Sequence, residues 1–150
     1  MKIGIASDHA GYDLKENVKA VLKDEGYEVK DFGPDLKKSV DYPDYAAIVA
    51  KAIQEKKVDR GVLVCGTGIG MSIAANKFAG IRAARCTTTD DARLAREHND
   101  ANIITLGGRF LGRELAGEMV KLFLETPFLK GRHLRRVAKI KRLEDEQGLR

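Results

Sequence analysis

Short apolar runs alternate with longer stretches in which apolar residues recur every three or four positions, and the alternation continues almost to the end of the chain. Lys2–Ser7 reads as a strand. Leu14, Val18, Val21 and Leu22 then mark one face of a helix that Gly26 stops. Glu28–Phe32 is a weaker strand. After the loop Gly33–Pro43, a helix covers Tyr45–Lys57, with Ala46, Val49, Ala50 and Ile53 on one side. Arg60–Val64 has the unbroken apolar character of a buried strand, and Gly66–Gly70 joins it to a helix over Met71–Phe78. Ile81–Thr87 is a fourth strand, and Asp90–His98 a helix with Thr88, Thr89 and Asp90 as candidate caps. Asn102–Leu106 is a fifth strand, followed by a long amphipathic helix over Leu111–Glu125. Pro127 breaks the chain before a charged terminal helix at Arg132–Glu146.

Strands that alternate with helices predict an α/β fold: a five-stranded parallel sheet between helix layers, a Rossmann-like three-layer sandwich with a C-terminal helix added. No repeat, linker or low-complexity segment divides the sequence, so residues 1–150 read as one domain, with 131–150 as a basic, charged end. The pattern does not fix the strand order. In such sheets ligands lie beyond the carboxyl ends of the strands, at a switch in that order. This selects the loops that hold Asp8–His9, Cys65–Gly70, Thr87–Asp90 and Gly107–Arg109.

Composition narrows the partners. The formal charge of +5 is concentrated in Lys130–Arg142. No aromatic stacking platform accompanies that segment and the chain has no Trp, which argues against nucleic acid and for a small anion. No stretch approaches the apolar length of a membrane span, and Asp8 interrupts the N-terminal apolar run too early for a secretory signal, so the expected compartment is the cytoplasm. Two cysteines are too few for a disulfide framework, and no Cys/His cluster suggests a metal.

Candidate chemistry follows from position. Gly66-Thr67-Gly68-Ile69-Gly70, between a buried strand and a helix, lets backbone N–H groups approach an anion closely; a tight turn needing positive φ is the plainer reading. A dinucleotide fingerprint would place GxGxxG on the first strand–helix turn, with an acidic residue about 20 positions on. Here the spacing is GxGxG after the third strand, although Asp90 stands at about that distance. Cys65 ends that strand beside the glycines, where a thiolate can serve as base or nucleophile; a buried strand cysteine is otherwise a small hydrophobe, and Cys86 reads that way. Asp8 and His9 close the first strand, where a helix cap is the alternative for Asp8. His98 and Asn99 close a helix, where Asn99 is equally a C-cap and His98 can move protons near neutral pH. Arg132 and Arg136 share a helix face at a basic helix start that an anion would compensate, and Arg109 is a further candidate.

Taken in order, five segments carry a resemblance that runs almost end to end. They are Ile5-Ala6-Ser7-Asp8-His9-Ala10-Gly11, Ser39 through Tyr45, Cys65 through Gly70, His98-Asn99 with Gly107-Gly108-Arg109, and Gly131-Arg132-His133 through Arg136. The chain resembles the type-B ribose-5-phosphate isomerases, a group that includes allose- and galactose-6-phosphate isomerase relatives. The resemblance implies an aldose–ketose isomerase that works through an enediolate without metal or organic cofactor. It implies Cys65 as the base between C1 and C2, Thr67 as an aid to proton exchange between the two oxygens, and His98 as the group that helps open the furanose ring. Backbone donors of Gly66, Gly68, Ile69 and Gly70 would face the enediolate. Asp8 and Asn99 would bind the sugar, and His9, Arg109, Arg132 and Arg136 the phosphate and substrate. It further implies a homodimer or homotetramer whose sites borrow residues from a neighbouring subunit. The charged end after Arg136 is given no catalytic role.

Overall fold

The computed structural model describes residues 1–149; Arg150, the last residue of the predicted charged end, lies outside them. Five strands, β1 (Lys2–Ser7), β2 (Glu28–Asp31), β3 (Arg60–Cys65), β4 (Ala83–Arg85) and β5 (Ile103–Gly107), form one parallel sheet in the order β2-β1-β3-β5-β4. Between and after them run α1 (Tyr12–Asp24), α2 (Tyr42–Gln54), α3 (Ile69–Ala75), α4 (Thr89–Asn99), α5 (Arg113–Glu125) and α6 (Arg132–Glu146). The expected α/β architecture is therefore present, and the strand order that the pattern left open is now known.

The apolar runs are unbroken because both faces of the sheet are covered. Ile3, Ile5, Val62, Val64, Ile104 and Leu106 point to one side, against Leu14, Val18 and Leu22 of α1 and Met119, Val120 and Phe123 of α5. Their neighbours Ala6, Leu63, Cys65 and Ile103 point to the other, against Ala46, Val49 and Ala50 of α2 and Met71 and Ala75 of α3. The side-chain period of two along each strand thus sends Cys65 to the α2–α3 layer.

Two boundaries differ from the sequence reading for identifiable reasons. β4 shrinks from the expected Ile81–Thr87 to Ala83–Arg85 because it is an edge strand paired only with β5. On its open side the Asn76 side chain takes over the role of a partner strand, accepting from Ala83 N–H at 2.8 Å and donating to Ala83 C=O at 2.9 Å. α2 starts earlier than expected, at Tyr42, because Pro43 stands inside its first turn, where a missing N–H costs nothing. At α4 the cap is a reciprocal pair: Thr88 Oγ1 accepts from Asp91 N–H at 3.0 Å, and Asp91 Oδ2 accepts from Thr88 N–H at 3.2 Å.

Lys15, fully buried in α1, secures the loop that precedes α2. Its ammonium donates to both oxygens of Asp31, at 3.0 and 3.1 Å, and to Pro34 C=O at 2.8 Å. Burial alone would raise the Asp31 pKa; donation from Lys19, from Gly33 N–H and from Lys15 outweighs it and holds the carboxyl below its usual range. A carboxyl depressed on folding stabilises the protein above the unfolded value of about 3.9 and loses that contribution as pH falls through the folded value. Acid unfolding followed by circular dichroism should therefore steepen below about pH 4 in the wild type and flatten in Asp31→Asn. Lys15→Met should cost about 2 kcal/mol by orphaning the Pro34 carbonyl, a Tm decrease of roughly 4–8 °C for a chain of this size. An unchanged Tm would show that the Lys15 contacts do not hold this loop.

Candidate active site

The chain leaves β1 for β2 on one side and returns to β3 on the other, so the order reverses between β1 and β3. A crevice opens there beyond the carboxyl ends. Cys65 ends β3 with Ser7 of β1 and Gly107 of β5 as near neighbours across the register. Asp8 follows directly: its N–H donates to Val64 C=O at 3.1 Å, and its Oδ1 accepts from Gly11 N–H at 2.9 Å. Gly11 is required for that turn, since a Cβ there would stand 2.3 Å from Val64 O.

The Gly66–Gly70 loop folds back over the sulfur. Gly68 N–H donates to Cys65 Sγ at 3.1 Å, placing a donor where negative charge forms when the thiol gives up its proton. Gly68 sits at φ +76°, so a side-chain-bearing residue would be strained there, and Thr105 Oγ1 holds its carbonyl from beneath at 2.8 Å. Thr67 Oγ1 accepts from Ile69 N–H at 3.1 Å. Two of the expected anion donors, the Gly68 and Ile69 amides, are thus engaged inside the loop itself. Gly107–Arg109 is laced to the same turn: Gly108 N–H donates to Cys65 C=O at 2.7 Å, and Arg109 N–H to Gly66 C=O at 3.1 Å. The exposed Arg109 guanidinium lies on Gly66, with Cζ only 3.1 Å from where a Cβ would be. Gly70 is closed on its far side by the Tyr42 ring, 2.6 Å from a Cβ position. Tyr42 was not singled out as a site residue; its presence in the Ser39–Tyr45 segment was the only signal. His9 is exposed, its Nδ1 assigned as acceptor of Val40 N–H at 3.4 Å. Asp8, His9, Cys65, Thr67, Gly70 and Arg109 therefore gather at one end of the sheet.

His98, Asn99, Arg132 and Arg136 do not join them. α4 runs back against the strands, so its last residues reach the amino end. Arg82, which precedes β4, donates through Nε to Asn99 C=O at 3.0 Å, and Gly61 at the start of β3 donates to Asn102 C=O at 2.9 Å. The path along β3 from Gly61 to Cys65 alone is roughly 13 Å at 3.3 Å per residue. α5 returns the chain to this same end, where Leu129 N–H donates to Glu97 C=O at 3.1 Å and α6 begins. There the His98 and His133 rings stack, with centroids 4.2 Å apart and planes 13° from parallel. Burial first, then the neighbouring His98, Arg132 and Arg136, lower the His133 pKa. Arg132 and Arg136 are exposed on the first turns of α6. The C-cap is Asp100, at φ +46°, rather than Asn99, which is still helical and exposed.

The remaining thiol is not a competitor. Burial, with the nearby Asp91 charge, pushes the Cys86 thiol up to about 12, which keeps it protonated at neutral pH. Cavities of about 480 Å³ between α1 and α5 and about 430 Å³ between α6 and the β4 edge lie elsewhere, whereas one of about 430 Å³ between α2 and α3 is lined in part by Tyr42 and Gly70. Among the described residues no group of three or more His, Cys, Asp or Glu is placed to hold a metal ion, and no helix is long and apolar enough to cross a membrane.

Known proteins are similar to this chain in sequence and in fold. Ribose-5-phosphate isomerase B of Escherichia coli is 45% identical over 147 residues, covering 98% of this chain and 99% of the relative. The solved structure of ribose-5-phosphate isomerase B from Clostridium thermocellum superposes with a TM-score of 0.96 at 53% identity, over 98% of this chain and 99% of that one. That of ribose-5-phosphate isomerase B from Mycoplasma genitalium with bound ribulose-5-phosphate gives 0.93 at 41% identity, over 97% of each. The family model described as Ribose/Galactose Isomerase matches residues 3–140, a span that takes in both ends of the sheet and every candidate side chain. With sequence, fold and extent in agreement, the chain belongs to the Ribose/Galactose Isomerase family.

Proposed function

We propose that this chain is an aldose–ketose isomerase that interconverts D-ribose 5-phosphate and D-ribulose 5-phosphate in the non-oxidative pentose phosphate pathway. The observation that carries the reading is the Cys65 sulfur under the Gly66–Gly70 loop, at the switch between β1 and β3. In the open-chain aldose, the Cys65 thiolate takes the C2 proton, and the C–H electron pair becomes the C1=C2 bond of an enediolate whose charge rests on O1. Returning the proton to C1, while the O2 proton passes to O1 with the aid of Thr67, gives the ketose. Backbone donors of the loop stabilise the transient oxyanion, and His9, Arg109, Arg132 and Arg136 bind the phosphate and substrate. Asp8 and Asn99 hold sugar hydroxyls, and His98 moves the proton that opens the furanose ring. No step requires a metal or an organic cofactor.

His98, Asn99, Arg132 and Arg136 reach such a sugar only from another copy of the chain. On this reading each copy is one isomerase domain, and two copies meet so that the carboxyl end of one sheet faces the α4–α6 corner of the other, as a homodimer or within a homotetramer. The exposed Phe110 beside Arg109, and Leu134 and Leu143 along α6, supply apolar surface at the two ends that such an assembly would bury. The enzyme works in the cytoplasm, where a reduced Cys65 is the ordinary state.

A coupled assay with ribose 5-phosphate and allose 6-phosphate tests the reading, and the five-carbon substrate should turn over faster. Arg136→Ala should raise KM for ribose 5-phosphate roughly tenfold or more while changing kcat less, as loss of a phosphate contact requires. Absence of turnover on either sugar phosphate, together with tight binding of NAD or AMP, would replace the isomerase with a nucleotide-binding module.

A further inference from the structure

Most helices of this fold are anchored by apolar side chains; α6 is not. Its single buried residue among those described is His133, while Leu134, Ile140 and Leu143 of the same helix stay exposed. At 8% exposure His133 occupies a position where a leucine would give a firmer anchor, and its ring is spent on the face of His98. The approach is held from several directions. Arg96, itself buried, donates through Nε to Thr126 C=O at 3.2 Å and through Nη1 to Ala101 C=O at 2.6 Å and Asp100 Oδ1 at 2.8 Å. These contacts tie the end of α5 to the end of α4. Lys130 then takes φ +60°, a left-handed conformation that a non-glycine residue adopts only under constraint. It also accepts His133 N–H at 2.9 Å, which starts the helix with the imidazole turned inward.

We infer that His133 is a positioning residue for His98, holding that imidazole by ring stacking in the orientation from which it exchanges protons with the sugar. The inference rests on the proposed role of His98 in ring opening. A stacked aromatic ring fixes the neighbouring ring's plane without consuming either of its nitrogens, so His98 keeps both for proton transfer. Burial, His98, Arg132 and Arg136 oppose a charge on the His133 ring while Glu97 favours it, which holds the ring beside His98 toward its neutral form.

The test uses His133→Ala and His133→Phe in the full chain, with wild-type secondary structure verified by circular dichroism. His133→Ala should lower kcat for ribose 5-phosphate roughly tenfold to a hundredfold, the scale of a misplaced reacting group, with KM nearly unchanged because Arg132 and Arg136 keep their places. His133→Phe restores the stacked face and should recover most of kcat. The inference is overturned by any of three results: full kcat in His133→Ala, a rise in KM without loss of kcat, or equal impairment in both variants. A wild-type chain that fails to isomerise ribose 5-phosphate would instead remove the isomerase reading on which the inference rests.

Discussion

Cys65→Ala should reduce kcat/KM for ribose 5-phosphate by roughly a hundredfold to ten-thousandfold, the range that a positioned general base supplies. The fold should survive, because the side chain removed is small and the loop above it is held independently by Thr105 and by the Gly108 and Arg109 amides. Cys65→Ser is the sharper variant. It keeps a hydrogen-bond acceptor for Gly68 N–H in place of sulfur, but an alcohol does not ionise near neutral pH and is no base there. Activity in Cys65→Ser close to that of Cys65→Ala would show that thiolate chemistry, rather than shape, is what the position provides. Cys86→Ala is the internal control: a thiol pushed up to about 12 has no thiolate to lose, and the variant should turn over as the wild type does. Near-full activity in Cys65→Ala would remove this sulfur from the mechanism.

The reasons this site was legible in the sequence are local ones. A strand covered on both faces writes itself as an unbroken apolar run, so β1, β3 and β5 were visible, and their carboxyl ends pointed to Asp8, Cys65–Gly70 and Arg109. α6 was located residue for residue because Pro127 and Gly131 punctuate its approach. What stayed hidden was set by pairs distant in sequence. The order β2-β1-β3-β5-β4 depends on which strand finds which neighbour, and nothing within a strand records that. β4 was overextended because Ile81 and Cys86 are buried without being strand. The stack of His98 on His133 joins two helices that no spacing rule connects. Tyr42 was missed because its contact with Gly70 requires α2 to begin before Pro43, where the loop was expected to continue.

A mixture of two inactive variants should regain activity. If the Cys65 end of one subunit works with the His98 end of its neighbour, Cys65→Ala and His98→Ala each destroy both sites of a homodimer. In a mixed dimer, however, the His98→Ala chain still offers its cysteine and the Cys65→Ala chain its histidine, so one of the two sites is whole and the other lacks both groups. With equal amounts and random reassociation, half of the dimers are mixed and half of their sites are intact, giving about one quarter of wild-type activity for an isologous pair. The figure discriminates because it comes from geometry alone. A site completed within one chain would give no recovery, since neither variant contains an intact set. The separation in the fold argues for recovery: α4 delivers His98 to the amino end, beside Arg82 and Asn102, while β3 delivers Cys65 to the other. Mixing should be done through mild denaturation and refolding, with the assembly checked by sedimentation. Sedimentation as a dimer with no recovery would mean that each chain completes its own site, by a movement of α4 and α6 large enough to break the Arg96 ties to Thr126 and Ala101. Recovery near one quarter, abolished when both substitutions are placed on one chain and mixed with a second copy of the same double variant, would fix the two ends of the sheet as halves of one site.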